Sequence, residues 1–179
     1  MARNIEIKAR IDSVEAVLPR ARALAGSGPE LIEQDDQFFP VPHGRLKLRR
    51  FADGSAELIH YHRADGPGAR ASDYVRVPVP DADALALALG RANGLLGRVR
   101  KQRWLLLVGQ TRVHLDRVEG LGDFMELEVV LREGQSDAEG QVIAETLMQA
   151  LGLAGAVRLS GSYLDALRDL PTASAKQAR

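Results

Sequence analysis

The sequence predicts an α+β fold: an antiparallel sheet closed into a β-tunnel with a polar lumen, and helices packed outside it. Three observations predict it. About seven segments alternate apolar and polar residues with the period of a two-faced strand. Their polar faces are sorted by charge from strand to strand, and the helix-period stretches are few and lie between or after them. An open antiparallel sheet leaves its polar face in water. Three like charges at alternate positions of one strand, Arg45, Lys47 and Arg49, repel unless something anionic lies over them. Closing the sheet turns such faces inward, as in barrels that enclose ligand cavities.

In chain order, residues 4–11 set Ile5, Ile7, Ala9 and Ile11 against Asn4, Glu6, Lys8 and Arg10. A helix is expected over 13–25, capped by Asp12, with Pro19 kinking or shortening it. Strands follow at 45–49, at 57–63 (Glu57, Tyr61 and Arg63 opposite His60 and His62) and at 74–79 (Tyr74 and Arg76 opposite Val75, Val77 and Val79). A helix over 82–92 starts from Asp81. Three further strands are predicted at 99–108, with Lys101 and Arg103 on one face, at 112–118, with Arg112, His114 and Asp116, and at 124–131, with Glu126 and Glu128. A Ser136/Glu139 capping box opens a helix over 137–151 that stops at Gly152. A short helix spans Ser162 to Leu170, and glycine-rich turns at 64–68 and 120–122 join strands. Residues 1–170 read as one domain, and 171–179 as a disordered tail with too few apolar groups to pack.

Composition narrows the chemistry. The 179 residues are 45% hydrophobic and 27% charged, with 24 basic and 24 acidic side chains. Zero net charge, and no basic strand interleaved with aromatics, argue against a nucleic-acid partner. No apolar run approaches a membrane span and the N-terminus lacks a signal peptide's apolar core, so the expected location is cytoplasmic. Cysteine is absent, so any metal is held by carboxylate or histidine. The lumen would hold Arg45, Lys47, Arg49, Arg63, Arg76, Lys101, Arg103 and Arg112 with the carboxylates Glu6, Asp116, Glu126 and Glu128. So many charges cannot be buried empty. Carboxylates beside cations suit a divalent metal with a triphosphate: hard oxygens hold Mg²⁺ or Mn²⁺, and Arg and Lys hold phosphate oxygens. His60 and His62 fall on the outer face by parity, and neither they nor His114 are read as metal ligands. Tyr61, Tyr74 and Trp104 are read as packing groups.

These same residues carry a resemblance. Asn4-Ile-Glu6-Ile-Lys8-Ala-Arg10 resembles the N-terminal ExExK signature of the CYTH, or triphosphate tunnel metalloenzyme, superfamily, and Gly44-Arg45-Leu-Lys47-Leu-Arg49 its second, basic strand. Lys101-Gln-Arg103 is similar to the family's KxR strand, and the run from His114 through Asp116, Gly120-Leu-Gly122 and Phe124 to Glu126-Leu-Glu128 to its carboxylate segment. Asp36 to Phe39 and Ser162-Tyr163 are weaker echoes. The wording lies nearest the class IV adenylyl cyclase branch, with thiamine-triphosphatase relatives.

The resemblance implies an eight-stranded antiparallel tunnel and a Mg²⁺- or Mn²⁺-dependent enzyme acting on ATP, tripolyphosphate or thiamine triphosphate, as a cyclase forming cyclic AMP or as a triphosphatase. It implies metal ligation by Glu6, Asp116, Glu126 and Glu128, phosphate binding by the basic strands, and a catalytic role for Lys8. Position 4 departs from the motif, with Asn where the first Glu stands. A polyphosphate- or nucleotide-binding module without turnover is the alternative, and a homodimer is among the possible assemblies.

Overall fold

The computed structural model describes residues 3–63 and 70–170, with 63 and 70–73 by backbone alone. The expected tail 171–179 and the turn at 64–68 lie outside the described residues. Eight strands are present: β1 (Asn4–Arg10), β2 (Ser27–Phe39), β3 (Arg45–Phe51), β4 (Ala56–Arg63), β5 (Arg70–Pro78), β6 (Gly97–Val108), β7 (Thr111–Val118) and β8 (Gly122–Val130). All pair antiparallel, in the closed order β1-β5-β4-β3-β2-β6-β7-β8 with β8 returning to β1. In this ring β3 lies across from β8.

The helices α1 (Val14–Leu24), α2 (Ala82–Asn93), α3 (Asp137–Ala150) and α4 (Tyr163–Arg168) pack outside or at one end. The main core lies between the outer faces of β1, β7 and β8 and the helices α1 and α3. Ile5, Ile7, Val113, Leu115, Met125 and Leu127 meet Val14, Val17, Ala144 and Met148 there, all buried. Each such side chain contributes roughly 1.5–3 kcal/mol by leaving water, so burial of the apolar faces fixes which faces turn inward. Gly140 lets α3 approach β1, since a Cβ there would stand 2.7 Å from Ile5 and 2.6 Å from Leu131. A second cluster, including Phe38, Val99, Phe124 and Leu164, seats α4 at one end of the barrel. Val75 and Val77 on the outer face of β5 are exposed.

Two expectations are corrected and one strand is added. The cap of α1 is Ser13, whose side chain accepts from the Ala16 amide, in place of Asp12. Pro19 sits inside an uninterrupted helix from Val14 to Leu24. Strand β2 is not among the predicted strands: Pro29 and the adjacent acids Asp35 and Asp36 mask its period in the sequence, although burial alternates from Gln34 to Phe38, and its pairings with β3 and β6 supply what its sequence lacks.

Candidate functional site

A cavity of about 160 Å³, open at its mouth, enters the barrel. Its lining follows from strand parity. Glu6 stands opposite Glu128 and Lys8 opposite Glu126 across the β1–β8 ladder. Arg112 is opposite Glu128 and His114 opposite Glu126 across β7–β8. Asn4, Glu6, Lys8, Glu126 and Glu128 all line the cavity, as do Lys47, Arg49, Lys101, Arg103, Arg76 and Arg112.

The basic residues form two units of the same design. On β3, Arg49 grips Asp36 of β2 with two hydrogen bonds of 2.7 Å, and Lys47 donates to the same carboxylate at 2.9 Å. On β6, Arg103 grips Asp116 of β7 with two bonds of 2.6 Å, and Lys101 donates at 3.1 Å. In each unit the aspartate is directly opposite the arginine on the neighbouring strand. One carboxylate serving two cations leaves a net positive charge in a buried place. Burial, reinforced by the neighbouring arginine and only partly opposed by the aspartate, pulls Lys47 down to about 8 and Lys101 to about 7. Burial alone would raise Asp36 and Asp116, but their cationic partners outweigh it and hold both well below the usual carboxylate range.

Asp116 has a further donor, the Tyr163 hydroxyl at 2.9 Å. Arg103 reaches on to Glu126 Oε2 at 2.6 Å, and Lys8 Nζ lies 3.1 Å from Glu126 Oε1 and 4.2 Å from the centre of the Tyr163 ring. Burial would raise Glu126; the cations Lys8, Arg103 and Lys101 outweigh it and keep it ionised. Glu128 pairs with Arg112 at 3.0 Å. His114 is buried, and burial followed by Arg103 lowers its pKa, which favours the neutral ring. The potential ligand atoms of His114, Glu126 and Glu128 all lie within 4.8 Å of one another. Asn4 is buried on the cavity face, and its Oδ1 has no hydrogen-bond partner among the described residues.

Two expected site residues, Arg45 and Asp116, are placed differently. Arg45 does not line the cavity. It begins β3, at the barrel end, and pairs there with Asp165 of α4 at 2.9 Å. Asp116 is not among the clustered ligand groups, because its oxygens are already taken by Arg103, Lys101 and Tyr163. Arg76 is half exposed and 3.9 Å from Glu57. Arg63 ends β4, and its side chain lies outside the described residues. Conversely, Tyr61 and Tyr74, read as packing groups, line the cavity as a cross-strand pair, whereas Trp104 packs on the outer core. Asp36 and Tyr163 show in the sequence only as weak echoes of a family pattern. His114 joins the carboxylates although it is not read as a ligand from the sequence; its parity with Arg112 and Asp116 is the signal that points it inward.

The CYTH domain family model matches residues 2–163. Adenylate cyclase CyaB of Aeromonas hydrophila is 29% identical over 172 residues, covering 89% of this chain and 86% of that protein. The PH1012 protein of Pyrococcus horikoshii superposes with a TM-score of 0.81 at 24% identity, covering 90% of this chain and 98% of its own. HpAC1 from Hippeastrum, described as an adenylyl cyclase candidate with a dominant triphosphatase activity, gives 0.68 at 16% identity, with 94% and 95% covered.

Proposed function

The chain belongs to the CYTH domain family, and from that membership and the cavity's two walls we propose that it is a divalent-metal-dependent enzyme acting on a triphosphate-bearing small molecule. One observation carries the reading: a single cavity joins the carboxylates Glu6, Glu126 and Glu128 to two Lys-x-Arg pairs, one half-buried and one buried. Either half alone would be a poor site. The cations alone would repel one another, and a metal held by carboxylates alone would not orient a polyanion.

In this reading Lys47, Arg49, Lys101 and Arg103 bind phosphate oxygens, with Arg76 and Arg112 nearer the mouth. Asp36 and Asp116 hold those side chains in place, so less ordering entropy is lost when the polyanion binds. That assigns Asp116 to positioning the cations. Glu6, Glu126 and Glu128 would hold Mg²⁺ or Mn²⁺, and Oδ1 of Asn4 and Nδ1 of His114, unpaired among the described residues, fit a cation site. Such a metal would supply charge neutralisation on the phosphate oxygens. Lys8, which lines the cavity beside Glu126, orients the attacking oxygen.

Phosphoryl and nucleotidyl transfer ask chiefly for such positioning and electrostatics. Water attacking the terminal phosphorus releases phosphate. A ribose 3′-hydroxyl attacking the α-phosphorus releases pyrophosphate and cyclic AMP. The Tyr61 and Tyr74 pair in the wall favours a substrate with an organic ring beside its triphosphate. Incubating the protein with ATP, tripolyphosphate or thiamine triphosphate, each with Mg²⁺ or Mn²⁺, and measuring phosphate and cyclic AMP tests the proposal. Turnover of at least one substrate is expected. Tight binding without product would establish a binding module instead.

A further inference from the structure

We infer that His114 is a nitrogen ligand to the cation held by Glu126 and Glu128, making this a mixed nitrogen and oxygen site that takes Mn²⁺ in preference to Mg²⁺. The inference rests on the metal-dependent reading above and concerns a residue that reading does not need.

Nδ1 of His114 lies 3.7 Å from Glu126 Oε2 and 3.7 Å from Glu128 Oε1. Both separations are too long for hydrogen bonds. Both fit donors around one ion, since two atoms each about 2.1 Å from a metal stand no more than about 4.2 Å apart. His114 is 4% exposed, and its Nδ1 has no hydrogen-bond partner among the described residues. A buried polar atom left unpaired costs about 1–3 kcal/mol, and a cation between the ring and the two carboxylates would remove that cost. Lys8, Arg103 and Arg112 leave room on the carboxylates, because each carboxylate offers about four lone-pair sites.

The backbone explains the convergence. His114 is directly opposite Glu126, and Glu128 is two residues further along the same strand face. The ring therefore points at the gap between the two carboxylates. Mg²⁺ keeps to oxygen donors and dehydrates reluctantly, whereas imidazole suits first-row transition ions. An imidazole in the donor set consequently discriminates against Mg²⁺.

The test is a titration of metal-free protein with Mn²⁺, without substrate, followed by pulsed electron paramagnetic resonance. Wild-type protein is expected to show nitrogen coupling from a directly bound imidazole, and Mg²⁺ is expected to displace Mn²⁺ only in large excess. His114→Gln keeps similar bulk and a donor oxygen. It should lose the coupling and weaken Mn²⁺ at least about tenfold, the loss that disturbing even a ligand's supporting partner brings, while Mg²⁺ binding changes little. Thermal melts by circular dichroism verify that the variant folds, and the wild-type spectrum is decisive without it. Mn²⁺ bound without nitrogen coupling, coupling that survives His114→Gln, or Mg²⁺ competing on equal terms overturns the inference and leaves the metal-dependent reading standing. No Mn²⁺ binding at all overturns both.

Discussion

The unit built on Asp36 and the unit built on Asp116 use the same parts at nearly the same distances, yet they sit in different surroundings. Lys47 and Arg49 keep 15% and 12% of their side-chain exposure. Lys101 and Arg103 keep 5% and 7%. Lys47 stands near the rings of Phe38 and Tyr61, both 5.6 Å away, on the aromatic side of the cavity. The Asp116 unit is tied instead to α4 through Tyr163 and to the acidic wall through Arg103 and Glu126. The difference teaches that a repeated local rule, an aspartate opposite the arginine of a Lys-x-Arg strand, can make one unit a phosphate grip and the other a bridge between phosphate and metal sides.

The largest expected contrast is in stability. Asp116→Ala strands two buried cations and frees the Tyr163 hydroxyl, so it should cost about 3–5 kcal/mol, the penalty for breaking a buried ion pair. Asp36→Ala leaves cations closer to solvent and should cost less, about 2–3 kcal/mol, because water can partly replace the missing partner. Urea denaturation of both variants measures this, and equal losses would erase the distinction. Both aspartates have depressed pKa values in the folded protein, so their stabilisation is present above the unfolded value near pH 4. It is lost as pH falls further.

A smaller contrast concerns pH and substrate affinity. Lys101, at about 7, and Lys47, at about 8, carry full charge only below those values. The KM for tripolyphosphate should therefore rise as pH goes from 6 to 9, by roughly tenfold for each lysine that gives up its proton. The rise from Lys101 should begin about one pH unit earlier. Lys101→Arg, which stays charged throughout, should flatten the early part of the curve, and Lys47→Arg the later part. A KM independent of pH in the wild type would mean that neither lysine binds phosphate as a titrating cation.

Much of this organisation was legible in the sequence, and the failures have physical reasons. Period two located seven of the eight strands, because burial under α1 and α3 at β1, β7 and β8, and under α2 at β3, forces apolar residues onto alternate positions. It gave the inward face for Glu6, Lys47, Arg49, Lys101, Arg103, Glu126 and Glu128. It failed at β2, where Asp35 turns outward to Arg98 and Asp36 turns inward to Lys47 and Arg49. Two adjacent acids on opposite faces look like a turn until both partners are known. Parity could not separate Arg45 from Lys47 either. They share a face, but Arg45 lies at the end of the barrel within reach of Asp165. Nor could a sequence tell that the oxygens of Asp116 are consumed by cations from the next strand, since that depends on register.

The central claim, that one cavity combines a metal-binding wall with a phosphate-binding wall, is tested most directly at Glu128. Glu126 is entangled with Lys8 and Arg103, whereas Glu128 pairs with the more exposed Arg112, so Glu128→Gln separates ligation from folding more cleanly. Triphosphate turnover by Glu128→Gln, measured across a Mn²⁺ titration beside the wild type, should fall by at least about a hundredfold at moderate metal, with a melting temperature within a few degrees of the wild type. Turnover and metal dependence superimposable on the wild type would contradict the account.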